Sequence, residues 1–382
     1  MLPSFLISKN FFVVTAVIVV FASLLILSIE MMRSNRVYKV QTDSFRDPFV
    51  FAFSQDDKED KSLSMVFPRK DVQHIPLPDE VRGIYWTAMT AAGKRGDVLI
   101  DYMQNTGLNT VVIDLKMDNG ELAFVPNDVS LSLYAQNKPV IQDLDDLLNK
   151  LADHQIYRIA RIAVMRDSTF ARAKPDAALQ SINGGLWQDK THAMWLDPAS
   201  LEVSTYAISL AREAYARGFD EIQFDYVRFA SDGKIGLIRY PVYDERESKL
   251  LTMKNFFSAV GDPLRAEGIP ISFDVFGLIC MTNDGLGIGQ RLLDVLSTAD
   301  FVSPMIYPSH FANGFQGFKN PAQYPYEVVK ISLDHAILQS GTSTKKQYRP
   351  WIQDFDIGAV YTSEKIEAQI KAVRDAGVSG FL

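Results

Sequence analysis

The stretch Gly218-Phe219-Asp220-Glu221-Ile222-Gln223-Phe224-Asp225-Tyr226-Val227-Arg228-Phe229 reads as a helix end, a turn and a buried strand that delivers a carboxylate and a guanidinium at its far end. Glycine is the residue expected just past a helix C-terminus, because it accepts the left-handed conformation there without a Cβ penalty. The run from Ile222 to Phe229 is β-branched and aromatic, as an enclosed strand requires. A buried strand tolerates Asp225 and Arg228 only if they are paired or used, since an isolated interior charge is costly. A structural Asp–Arg ion pair is the bland alternative.

Working outward, the chain from Val81 alternates strand-like and helix-like segments. Strands are expected at 81–88, 110–116, 157–165, 221–229, 271–277, 301–308, 348–355 and 378–382. Helices are expected between them, at 96–106, 141–154, 202–216, 245–267, 289–298, 326–338 and 363–376. Gly107, Gly218, Gly268 and Gly377 stand where helices should stop. Eight strands alternating with helices over about 300 residues is the rhythm of an α/β protein of the (β/α)8 TIM-barrel type. An open doubly wound sheet is the alternative, but no glycine-rich phosphate loop follows the first strand. The chain stops at Leu382, inside the eighth strand, so the expectation is a barrel truncated at its C-terminus.

The N-terminus differs in kind. Phe11 to Ile29 is nineteen consecutive uncharged residues, about 28 Å as a helix, enough to span hydrocarbon. A cleaved signal peptide has a shorter apolar region and an A-x-A-like site, which Ile29-Glu30-Met31-Met32-Arg33 does not supply. Residues 1–30 are therefore expected to be a membrane anchor. Residues 31–80 are expected to be a charged, proline-interrupted connector, and residues 81–382 the barrel. Lys9 precedes the span and Arg33, Arg36 and Lys39 follow it, which opposes export. A ten-residue tail is nonetheless easily retained while a large domain crosses. An extracytoplasmic barrel is expected, with the orientation open. A net charge of −7 without any Lys/Arg block argues against nucleic acid. Cys280, the only cysteine, is expected to be a small buried hydrophobe.

In a barrel of this type the site lies at the C-terminal ends of the strands. Those ends carry Tyr85, Asp114, Lys116, Arg161, Gln223, Asp225, Ser272, Asp274, Tyr307, Gln353 and Asp354. Alternate residues share a strand face, and Asp114/Lys116, Gln223/Asp225 and Ser272/Asp274 each keep one parity, as a polar cavity requires. Converging carboxylates are what glycoside hydrolysis needs, one ionised and one protonated. Asp225 and Asp274, on neighbouring strands, are the expected catalytic pair, Asp225 as nucleophile or charge stabiliser and Asp274 as the buried proton donor. Arg228 is expected to assist Asp225. Tyr85, Asp114, Lys116, Arg161, Trp195, Tyr307, His310, Trp351 and Asp354 are expected to bind substrate, the aromatics by stacking on sugar faces. Core filling is the competing reading for each ring. The segment 166–200 is long enough to be an active-site loop.

The segments Trp195-Leu196-Asp197-Pro198, Asp220 to Phe229, Asp274-Val275-Phe276-Gly277, Ser303 to His310 and Arg349 to Phe355 together resemble a bacterial family of glycoside-hydrolase-like domains of unknown function, related to α-amylase-like barrels. The resemblance runs from about Val81 to the chain end. It implies a (β/α)8 fold, often in exported or membrane-anchored proteins, without a proven substrate. In amylase-like barrels the fourth strand carries an Asp nucleophile, which Asp225 matches. The fifth carries a Glu acid, where this chain has Asp274. The expected function is thus a membrane-anchored glycoside hydrolase of a cell-envelope or extracellular polysaccharide, with no cofactor. The alternative is a non-catalytic carbohydrate-binding barrel. Metal hydrolysis is disfavoured because His74, His154, His192, His310 and His335 form no close-spaced ligand pair, although a carboxylate cluster could hold Ca²⁺ structurally.

Overall fold

The computed structural model describes residues 72–382. The expected membrane span at residues 11–29, with most of the connector, lies outside the described residues. Among the described residues no helix is long and apolar enough to cross a membrane.

The strands are β1 (Val81–Trp86), β2 (Thr110–Lys116), β3 (Tyr157–Ala163), β4 (Gln180–Ser181), β5 (Glu221–Asp225), β6 (Ile238–Arg239), β7 (Ile271–Phe276), β8 (Phe301–Met305) and β9 (Gly380–Phe381). Seven of them form one parallel sheet in the order β8-β7-β5-β3-β2-β1-β9. With the short antiparallel pair β4–β6 set aside, neighbours in that sheet follow one another in sequence, except that β1 also pairs with the last strand, β9. The remaining stave is the extended segment 348–352. It bridges β8 through Val302–Tyr348 and Met305–Trp351. On its other side Leu382 N–H donates to Pro350 O at 2.9 Å and Ile352 N–H to Leu382 O at 3.0 Å. Pro350 has no N–H to give, so the ladder here is broken into isolated bridges. The result is a TIM-barrel-like α/β domain, as the alternation of segments implied.

The helices expected from periodicity all appear, at Lys94–Thr106, Leu144–Asp153, Leu201–Arg217, Lys249–Ala266, Leu292–Leu296, Pro325–Ser340 and Ser363–Ala376. Gly218 caps its helix at φ 113°, the conformation that selected glycine there. Alternation along β5 and β7 separates two environments. Phe224 and Phe273 point outward, their rings 5.6 Å apart, with Phe257 of the covering helix 5.0 Å from Phe273. Glu221, Gln223 and Asp225 take the opposite parity and point into the barrel.

The interior is apolar around Val81, Val112, Ile159 and Leu382, yet it encloses a polar stack. Near the strand N-termini, buried Glu221 accepts hydrogen bonds from Arg349 Nη1 at 3.0 Å, Tyr157 OH at 3.2 Å and Ser272 Oγ at 2.6 Å. One level up, Gln223 Nε2 donates to Ser303 Oγ at 3.1 Å. The Glu221 carboxylate, paired and hydrogen-bonded in this way, escapes the penalty of an isolated interior charge. Residues 72–80, expected as the connector's end, are instead tied to the barrel base. Ile75 N–H donates to Asp220 Oδ1 at 2.7 Å and Arg158 Nη2 to Gln73 O at 2.6 Å.

Candidate active site

At the strand C-termini the polar stack ends in a carboxylate cluster built around Arg161 of β3. Its Nη1 donates to Asp114 Oδ1 of β2, while Nε, at 3.1 Å, and Nη2 both donate to Asp225 Oδ2 of β5. Asp114 also accepts from the Tyr85 hydroxyl of β1. Arg161 Nε lies 3.9 Å from Asp274 Oδ2. Sharing that nitrogen leaves the two Oδ2 atoms of Asp225 and Asp274 at most about 7 Å apart, below the upper limit of the separations at which carboxyl pairs perform glycosidic chemistry. Four consecutive barrel strands and β7 thus converge on one guanidinium.

The two central carboxyls sit in different surroundings. Asp225 takes the Arg161 fork and, on Oδ1, the backbone N–H of Tyr226. Tyr226 adopts φ 53°, a left-handed conformation uncommon outside glycine. Asp274 is 1% exposed. Its Oδ1 accepts from Trp351 Nε1 at 2.7 Å, and its Oδ2 is buried without any hydrogen-bond partner. Burial, and then the charge of Asp225, push the Asp274 carboxyl well above the ordinary range, against the pull of Arg161 and the indole N–H. The indole N–H occupies Oδ1, which leaves Oδ2 as the open position for a proton.

The rim is aromatic. Tyr85, 41% exposed, meets Trp351 edge-on at 6.1 Å. The Tyr307 ring is 5.3 Å from both His310 and Phe355. Burial, with Asp274 and Asp225 nearby, drives the Tyr307 phenol upward. His310 and Asp354 lie exposed beside it. Tyr85, Tyr307, Trp351 and Asp354 form the upper end of a groove of about 1060 Å³ that continues between the helices 94–106 and 363–376. Asp225 and Asp274 are not part of its wall.

Three expected site residues make other contacts than expected. Lys116 shares Asp114's parity on paper, but the pairing of β2 with β3 slips between Asp114 and Lys116. Lys116 is therefore fully buried, its Nζ 2.8 Å from Asp167 Oδ2, in an ion pair remote from solvent. Trp195, expected to stack on sugar, is buried too, with Nε1 donating to Asp189 Oδ2 at 3.0 Å. Arg228 makes no ion pair with Asp225. Its Nη1 donates to Phe229 O and Ser231 Oγ, and Arg161 takes the role expected of it.

The loop wall had no clear sequence signal. Arg166 joins Asp118 and Asp189, the latter at 2.9 Å, and Tyr226 OH donates to Asp118 Oδ2 at 3.2 Å. Bonds from Trp195, Arg166, Thr191 and Ala193 outweigh burial and hold Asp189 far below the usual carboxylate range. The length of the 166–200 segment was the one hint. Among the described residues no group of three or more His, Cys, Asp or Glu is placed to hold a metal ion.

Residues 83–382 match the model of the family described as "Putative glycosyl hydrolase domain" (DUF4015). The chain belongs to that family. No curated protein sequence matches it. Among solved structures it is similar to the PgaB (BpsB) glycoside hydrolase domain from Bordetella bronchiseptica, at 15% identity and TM-score 0.56, over 80% of this chain and 94% of that one. At that identity the likeness speaks for the fold. A hypothetical protein from Ruminiclostridium thermocellum shares 29% identity over 50% of this chain and 97% of its own, with TM-score 0.45. An α-galactosidase from Thermus thermophilus, solved with stachyose, shares 14% identity over 81% of this chain and 62% of that one, with TM-score 0.48.

Proposed function

We propose that this domain hydrolyses glycosidic bonds with Asp225 and Asp274 as its working carboxyls, in a protein held at a membrane by residues 11–29 and acting outside the cytoplasm on a polysaccharide. The observation that carries the reading is the unequal pair on one guanidinium. Asp225 is clamped in place by Arg161 and the Tyr226 amide, while Asp274 is pushed towards its protonated form by burial and by Asp225, with Oδ2 left without a hydrogen-bond partner. A hydrolase needs that asymmetry, with one carboxyl to attack the anomeric carbon or stabilise its charge and another to protonate the departing oxygen. Arg161 positions Asp225 and compensates its charge before reaction. Trp351 orients Asp274. Tyr85, Tyr307 and Trp351 offer the flat apolar faces that a pyranose stacks on.

One observation favours a second reading. Asp274 is almost fully enclosed and its Oδ2 is buried, so a sugar oxygen reaches Oδ2 only if a covering side chain moves. If none moves, the cleft binds carbohydrate without cleaving it. The deciding experiment incubates the full chain in detergent with a panel of neutral and acidic polysaccharides, measuring new reducing ends alongside binding. Hydrolysis is expected, falling about 100-fold or more in Asp225→Asn and in Asp274→Asn. Binding without cleavage by any member of the panel establishes the second reading.

A further inference from the structure

Arginines 158, 228 and 349 are the buried arginines among the described residues. Arg158 pairs with Asp220 at 2.7 Å, and Arg349 pairs with Glu221. Arg228, 9% exposed, has no carboxylate within ion-pairing distance among the described residues. Burial without a paired anion lowers its pKa, with Asp225 opposing from nearby. An interior cation left this way is costly unless something else supplies the anion.

The way Arg228 is held says which part of it is free. Nη1 spends its two hydrogens on Phe229 O at 3.0 Å and Ser231 Oγ at 2.9 Å. The guanidinium lies 4.7 Å from the Trp195 ring centre, 4.8 Å from Phe276 and 5.6 Å from Tyr226. The aromatic contacts and the Nη1 bonds fix its plane. The Nε–H and Nη2–H edge makes no hydrogen bond with the described residues, and neither atom is among the buried polar atoms left without a partner. That edge is the fork that takes a carboxylate in two parallel bonds. This chain uses it so elsewhere: Arg158 grips Asp220 through Nε at 2.9 Å and Nη2 at 2.7 Å, and Arg291 grips Asp294 through the same two nitrogens, each at 2.8 Å. The cage also belongs to the site. Tyr226 follows Asp225 directly, and Phe276, partly exposed, stands two residues beyond Asp274 at the end of β7.

We propose that the Nε/Nη2 edge of Arg228 receives the carboxylate of an acidic sugar, a uronic acid residue, bound beside the Asp225/Asp274 pair. This rests on the hydrolase reading for the identity of the ligand as a sugar, and it narrows the substrate class to acidic polysaccharides. Arg161 and Arg166 cannot play this part, because both are already neutralised by carboxylates of the chain.

The test compares acidic oligosaccharides (oligogalacturonate, oligoglucuronate, oligomannuronate) with their carboxyl-reduced neutral counterparts, by calorimetric binding to the full chain in detergent. At least one acidic oligosaccharide is expected to bind, with carboxyl reduction weakening it about 10- to 100-fold, as loss of a charge-assisted bidentate contact does. Arg228→Gln is expected to abolish the acid-over-neutral preference, and Arg228→Lys to keep part of it. The wild-type ratio needs no variant, so the test survives if Arg228→Gln fails to fold. Equal binding of acidic and reduced sugars overturns the proposal, as does binding of no acidic sugar, or a preference that persists in Arg228→Gln. Cleavage of neutral sugars without acidic preference overturns it while leaving the hydrolase reading standing. Acidic sugars bound through Arg228 but never cleaved do the reverse.

Discussion

Asp274→Asn separates the protonated-donor assignment from its alternatives through stability alone, without any substrate. Asparagine keeps an Oδ1 acceptor for Trp351 Nε1 and removes only the titrating proton. The unfolded chain ionises Asp274 near the ordinary carboxylate value of about 3.9, whereas the folded chain holds the proton because burial and Asp225 oppose its loss. A carboxyl raised on folding contributes stability that is fully present below its unfolded pKa and is lost as pH rises toward its folded one. In that window wild type loses about 1.4 kcal/mol per pH unit relative to Asp274→Asn. Above pH 4 the variant should therefore gain on wild type at that slope until the folded carboxyl ionises, with no relative gain below pH 4. Urea unfolding of the full chain followed by tryptophan fluorescence, at half-unit steps from pH 3.5 to 8, measures this directly. A difference that stays flat between pH 5 and pH 7 would mean that Asp274 is ionised in the folded protein, and the donor assignment would be refuted.

Trp351→Phe keeps the ring but removes the one hydrogen bond on Asp274 Oδ1. The bond favours the charged form, so the alkaline limb of the activity profile should move to higher pH, and an unchanged limb would deny Trp351 its orienting role. Arg161→Met leaves Asp114 and Asp225 facing each other without their shared cation. It should cost about 3–5 kcal/mol in unfolding free energy and remove activity, and a stable, active variant would contradict the clamp. Lys116→Met strands the buried Asp167 carboxylate and should cost a similar 3–5 kcal/mol; carbohydrate affinity, measured by calorimetry, should stay unchanged in whatever folds. A Cβ on Gly277 would stand 2.3 Å from Met305 O, so Gly277→Ala should lower the unfolding midpoint by forcing β7 from β8, at a cost of about 1–3 kcal/mol.

Sequence alone determined the order and kind of elements, because each depends on local periodicity and on helix-stopping glycines such as Gly218 and Gly377. It also placed Tyr85, Asp114, Arg161, Asp225 and Asp274 at one end of the barrel, since parallel strands deliver their C-terminal residues to a common mouth. What each side chain does there was decided by tertiary structure. The slipped pairing after Asp114 turned Lys116 inward, and no one-dimensional parity count contains a slip. The segment around Trp351 became a stave of the ring only through partners in β8 and β9, since Pro350 breaks its own ladder. The sequence pointed to Arg228, three residues on, as the partner of Asp225, and not to Arg161, 64 residues before it. Register across β3 and β5 gave Asp225 to Arg161. Charge is a property of residues, but pairing is a property of distances, and only the closed barrel sets those.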